Sequence, residues 1–184
     1  RGAAKRVGAY AVTLRAENAT GKAERALALV VGDAFALTPP MGCNTWGGLG
    51  PFVSEKGVRA SAEAMVRKGL TQHGYCYVNI DDGWQGARGG AFNGIQPNEK
   101  FGDMKRLCDD LHAMGIKVGN YSTPWKTSYA GFVGGSSDSA DGAWAKLPPG
   151  AKKDWAQGTY RFEEKDARQT AAGEIDDFKY EWGR

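Results

Sequence analysis

From residue 40 onward, short apolar runs alternate with segments that read as helices. The runs are 40–44 (PMGCN), 75–80 (YCYVNI), 116–121 (IKVGNY) and 175–180 (IDDFKY), and the helices are expected over 54–68, 101–114 and 161–173. Ser54 is placed to cap the first helix, and Gly115 stands where a glycine ends the second. Strand and helix repeated in this order argue for parallel βα units. Four strands and three helices amount to the first half of a (β/α)8 TIM barrel, an α/β fold, or to a small doubly wound sheet. A doubly wound sheet would bind nucleotides at a Gly-rich turn, and neither GxGxxG nor GxxxxGK[ST] follows any strand here, which weakens that reading.

Ahead of the barrel segment, residues 9–16 (AYAVTLRA) and 25–31 (RALALVV) alternate apolar and polar around the turn-rich ENATGKAE, the pattern of a β-hairpin. Two strands alone are marginal in water, so the hairpin is expected to be the tail of a β-sandwich whose other strands lie elsewhere. The linker at Gly32–Asp33 divides the chain into residues 1–33 and 34–184. The chain starts without Met at RGAAKRVGAY, so the missing signal peptide says nothing about compartment, and a piece of a longer protein is expected. Between Pro124 and Tyr160 lies a Gly/Ser/Trp-rich insertion with little periodicity, of the kind that is functional or disordered.

Composition narrows the function classes. The net charge of +3 arises from 24 basic and 21 acidic residues spread evenly, with no basic stripe to suit nucleic acid. No apolar run approaches the roughly 18 residues of a membrane span. Cys43, Cys76 and Cys108 have no CxxC spacing and no paired histidine, so a zinc site has little support. Cys76 and Cys108 read as small buried hydrophobes. His73 in a loop and His112 near a helix end read as structural. No cofactor is called for.

The chemistry gathers where strands end. Asn44-Thr45-Trp46 follows the first, Asp81-Asp82-Gly83-Trp84 the second, Tyr121-Ser122 closes the third with Trp125 just beyond, and the fourth carries Lys179 and ends in Glu181-Trp182. Barrel active sites are assembled at these C-terminal ends. Carboxylates take sugar hydroxyls bidentately, and indoles stack on the C–H face of a pyranose, so Trp84, Trp125 and Trp182 are candidate stacking residues. Lys179 inside a strand needs a carboxylate if buried, and Glu181 and Asp82 are its candidates. A metal-dependent barrel with Asp81, Asp82 and Glu181 as oxygen ligands to Mg²⁺ is another reading.

The stretches LTPPMGCNTW, YVNIDDGW, FGDMKRLCDDLHAMGIKVGNYS and IDDFKYEW, taken in order, resemble glycoside hydrolase family 27, the α-galactosidases and α-N-acetylgalactosaminidases. The resemblance runs from about Leu37 to the end of the chain, and the hairpin before it resembles the last strands of an immunoglobulin-like module. It implies a (β/α)8 barrel, an α-galactoside oligosaccharide or glycoconjugate as substrate, and a secreted or periplasmic location. By position, Trp46, Asp81 and Asp82 would bind the galactose ring, with Tyr121 and Lys179 lining the same pocket. Glu181 stands at the family's nucleophile, beside Lys179, whose charge would keep it ionised. In a retaining mechanism that carboxylate attacks the anomeric carbon while a second acid, roughly 5–5.5 Å away, protonates the leaving oxygen.

Four residues depart from the family pattern: Cys43 for Trp, Glu174 for Gly, Asp177 for Tyr and Glu181 for Asp. The extra methylene of Glu181 moves the carboxylate by roughly 1–1.5 Å, and misplacement of about 1 Å can cost on the order of a hundredfold in rate, so weak or absent hydrolysis is expected. The family's acid comes from the later half of the barrel, outside these residues. Half a barrel leaves two open sheet edges, so a second chain completing it is an expected partner. The rival is a sugar-binding half barrel without catalysis.

Overall fold

The computed structural model describes residues 6–32, 39–144 and 153–182, and the chain divides into two compact units between Pro39 and Pro40. The first is a single antiparallel hairpin, β1 (Gly8–Asn18) and β2 (Gly21–Val31). Its strands run further toward the turn than alternation indicates. Asn18 Oδ1 accepts from the backbone N–H groups of Thr20 and Gly21 at 2.9 and 3.1 Å, so the chain reverses in two residues. Cross-strand pairing puts Tyr10 opposite Leu29 and Val12 opposite Leu27, which gathers the larger apolar side chains on one face.

The second unit is built on four parallel strands: β3 (Gly42–Asn44), β4 (Tyr77–Asn79), β7 (Lys117–Ser122) and β10 (Asp177–Tyr180). They lie side by side in chain order, β3-β4-β7-β10. Between them run α1 (Trp46–Leu49), α2 (Glu55–Arg67), a hairpin of β5 (Gln85–Gly89) and β6 (Gly94–Pro97), and α3 (Met104–Ala113). The insertion holds β8 (Ser136–Ser137) and β9 (Tyr160–Arg161), and α4 (Glu163–Ala172) precedes the last strand. A sequentially ordered parallel sheet with helical crossovers is half of the expected barrel, and nothing in it reverses order as a doubly wound sheet does.

Side-chain alternation sorts the two faces of this sheet. Val78, Ile80 and Val118 join Val58, Ala62 and Met65 of α2 and Leu107, Cys108 and Leu111 of α3 in one buried core. The register pairs Asn79 with Gly119 and Lys179 with Tyr121, so the opposite face carries polar residues that run out toward Asp81 and Glu181. Helix caps account for the boundaries. Ser54 Oγ accepts from Gly57 N–H at 3.3 Å, as expected, whereas α3 starts later than its pattern indicates because Asp103 caps it through Arg106 N–H. Burial pushes the Cys108 thiol up to about 12, which fits an inert core residue; Cys76 is only half-buried.

The β5–β6 hairpin was not legible as strands, because its GARGGAFNG stretch has turn composition throughout. A buried ion pair fixes it: Arg88 bonds Asp166 of α4 through both terminal nitrogens, and also donates to the Gly134 carbonyl at 2.7 Å. Asp166 further accepts from Ile95 N–H, and the Arg88 guanidinium lies 4.3 Å above the Phe162 ring. Burial raises the Asp166 pKa against the pull of Arg88. Among its described residues the insertion is well bonded. Thr127 and Asp154 exchange bonds, and Ser136 Oγ donates to Pro124 and accepts from Gly158.

Candidate functional site

At the C-terminal ends of the parallel strands, Trp46, Asp81, Asp82, Tyr121, Tyr129, Lys179 and Glu181 line a cavity of about 380 Å³. Each strand end supplies a part. Asn44, closing β3, donates from Nδ2 to Asp81 Oδ2 at 2.7 Å and accepts from Trp46 N–H at 2.9 Å, so one side chain orients both the carboxylate and the indole. Thr45 Oγ1 accepts from Asp81 N–H at 2.9 Å and pins the end of β4. The turn that follows needs Gly83: its φ is +114°, and a Cβ there would lie 2.8 Å from the Pro51 carbonyl oxygen.

Lys179 is the electrostatic centre. Its Nζ lies 3.1 Å from Asp81 and 3.4 Å from Glu181, and 5.1 Å from the Tyr121 ring centroid. The side chain is 44% exposed and lines the cavity; of its two candidate carboxylates Glu181 is a partner, but the shorter contact is to Asp81 rather than to Asp82. Desolvation works against the ammonium, but the hydrogen bond and charge of Asp81, with Glu181, outweigh it and raise the lysine pKa. The tyrosine hydroxyl of Tyr121 is held neutral by burial, by the charges of Asp82 and Glu181, and by its hydrogen bond to Glu181. The Lys179 ammonium thus lies between Asp81 and Glu181, two of the three carboxylates that the Mg²⁺ reading would use.

Asp82 plays a different part from Asp81. It is 2% exposed, and its Oδ2 accepts from Ala130 N–H at 2.7 Å while Oδ1 faces Gln85 Nε2 at 3.3 Å. Burial raises its pKa, opposed by hydrogen bonds from Ser128, Ala130 and Gln85. Asp82 therefore grips the turn of the insertion that carries Tyr129 into the cavity.

The three extra indoles fare differently from the expectation. Trp84 is 4% exposed, belongs to the core, and donates from Nε1 to the Tyr121 carbonyl at 2.9 Å; a strand-end indole was turned back by that acceptor. Trp125 is buried against the edge of Tyr129. Trp182 is exposed, packs edge-on to Tyr180, and does not line the cavity. The indole that does line it is Trp46, 45% exposed. Asn44 and Thr45 belong to the strand-end pattern but had no role assigned, and Tyr129 was missed. The first two sit in the recognised NTW stretch, but Tyr129 lies in an aperiodic loop with no local signal.

A family model described as α-galactosidase A matches residues 42–147. The chain belongs to the α-galactosidase A, or melibiase, family. It is 46% identical over 105 residues to α-galactosidase A of Cellvibrio japonicus, covering 55% of this chain and 26% of that protein. It is 30% identical over 154 residues to the α-galactosidase of Coffea arabica, covering 83% and 35%. Among solved structures, α-galactosidase I from Mortierella vinacea superposes with a TM-score of 0.63 at 30% identity, over 82% of this chain and 32% of that one. The α-galactosidase of Saccharomyces cerevisiae solved with raffinose gives 0.61 at 28% identity, over 79% and 27%. Measured against these, the melibiase-family chain spans between a quarter and about a third of their lengths. Its cavity, lying at strand ends within the matched half barrel, is where a barrel fold places a site.

Proposed function

We propose that these residues are the sugar-binding and nucleophile-bearing part of a retaining α-galactosidase. The observation that carries the reading is the convergence of Asp81, Lys179 and Glu181 on one face of a parallel sheet, around a cavity walled by Trp46 and Tyr121. The charged Asp81–Lys179 pair would take galactose hydroxyls, and Trp46 would cover the C–H face of the ring. The S. cerevisiae relative was solved with raffinose, which supports an α-galactoside as ligand. Glu181 would attack the anomeric carbon as the bond to the leaving oxygen breaks. A carboxylic acid from outside these residues would protonate that oxygen, and water would then hydrolyse the glycosyl ester.

The immunoglobulin-like origin of the hairpin belongs to the same proposal, supported by the apolar face of β1 and β2, as does a secreted or periplasmic location. A second reading, a galactoside-binding half barrel without catalysis, is favoured by one feature, the glutamate at the nucleophile position. Hydrolysis of p-nitrophenyl α-galactoside separates the two. Glu181→Asp, in a protein that includes the acid, should raise turnover by roughly a hundredfold if the longer side chain misplaces the carboxylate. No gain in the aspartate variant, with galactose still bound, favours the binder.

A further inference from the structure

We infer that the insertion between β7 and α4 builds a platform for a second sugar ring, beside the galactose cavity. The inference rests on the reading of that cavity as a galactose site. Trp125, Tyr129 and Trp155 form a chain of edge-to-face contacts, with ring centroids 5.1 and 5.2 Å apart. The first member is buried, the second lines the cavity, and the third is 44% exposed. The platform is therefore continuous from the cavity wall to the surface. It is also held in place. Trp155 Nε1 donates to the Ser128 carbonyl at 3.3 Å, Asp154 N–H donates to Thr127 Oγ1 at 2.9 Å, and Asp82 fixes the same turn through Ala130 N–H at 2.7 Å. An aromatic ring tied by its polar edge and partly exposed is pre-organised to stack on an apolar surface.

The chemistry identifies the occupant. A terminal galactose is joined to the rest of its glycoside only through its anomeric carbon. Whatever extends past Tyr129 from a galactose in the cavity is the leaving group. A pyranose there would lay its C–H face on Trp155. The insertion would thus set leaving-group preference, with no part in the attack itself.

The test is a titration of the chain with galactose and with the disaccharide melibiose, followed by calorimetry, for the native protein and for Trp155→Ala, Trp155→Phe and Trp182→Ala. Trp182 is an exposed indole outside the cavity and serves as the control. The expected result is tighter binding of melibiose than of galactose in the native protein. Trp155→Ala should erase that advantage, about tenfold, while galactose affinity stays within about twofold. Trp155→Phe should keep most of it, and Trp182→Ala all of it. Equal affinity for the two sugars in the native protein overturns the platform, as does a Trp155→Ala variant that weakens both sugars alike. Loss of binding to both sugars by the native protein is a different failure: it removes the galactose reading, and the platform with it.

Discussion

Glu174 stands in the left-handed region, φ +56°, one residue past the cap of α4. Ile175 N–H bonds the Thr170 carbonyl and Glu174 N–H the Ala171 carbonyl, the Schellman arrangement that favours glycine at this position. α3 ends in the same way, with Ile116 bonded to Leu111 and Gly115 bonded to His112, and there the left-handed residue is a glycine at φ +79°. The departure from the family pattern seen in the sequence thus has a conformational cost at a known place. Glu174→Gly should stabilise the protein by about 0.5–1 kcal/mol in a urea melt, the relief of left-handed strain less glycine's extra chain entropy. Its exposed contact with Lys105, at 3.2 Å, contributes little against that. Position along a strand made Trp46, Asp81, Tyr121, Lys179 and Glu181 readable, since a strand end in a barrel faces the site. It misled at Trp84, where a distant carbonyl decides which way the indole turns.

The elements with regular periodicity were the legible ones: four strands and three helices were placed from pattern, with caps setting their ends. The β5–β6 hairpin and the insertion were not, because what orders them is contact between residues far apart in the chain. Arg88 and Asp166 are the clearest case, 78 residues apart and both buried. Arg88→Met leaves a buried carboxylate without its partner and should cost about 3–5 kcal/mol, while the double variant with Asp166→Leu should recover much of it; chemical denaturation of the two resolves the difference. The insertion rests partly on Lys126, which bonds Asp138 and Asp154 at 2.8 and 2.6 Å. Hydrogen bonding to Lys126 holds both carboxyls below their ordinary 3.8. A depressed folded pKa means the stabilisation is present above 3.8 and is lost as pH falls through the folded values. Acid should therefore loosen this segment before the barrel core, seen as a change in Trp125 and Trp155 emission below pH 3.8 that Lys126→Ala diminishes.

At the scale of the molecule, β3 and β10 are each paired on one side among the described residues, which leaves an unpaired edge on each within them. Between them lies a site whose proton donor, in the proposed mechanism, comes from elsewhere. Sedimentation velocity from roughly 1 to 100 μM should show mass rising with concentration as edges find partners; a constant monomer mass would mean the edges are covered. The apolar stripe of Tyr10, Val12, Leu27 and Leu29 on the hairpin adds a second surface of the same kind, and charged substitution of Leu27 and Leu29 should separate its contribution from that of the sheet.

Gly83 ties the carboxylate turn to the Pro51 backbone with no room for another atom. In the gene, every glycine codon begins with two guanines, and any single-base change that alters the amino acid installs a side chain or stops the chain. The position therefore has no conservative neighbour one mutation away. Drift can move through the loops of this protein in small steps, but at the turn that follows its two aspartates each available step would force the cavity wall away from the Pro51 backbone.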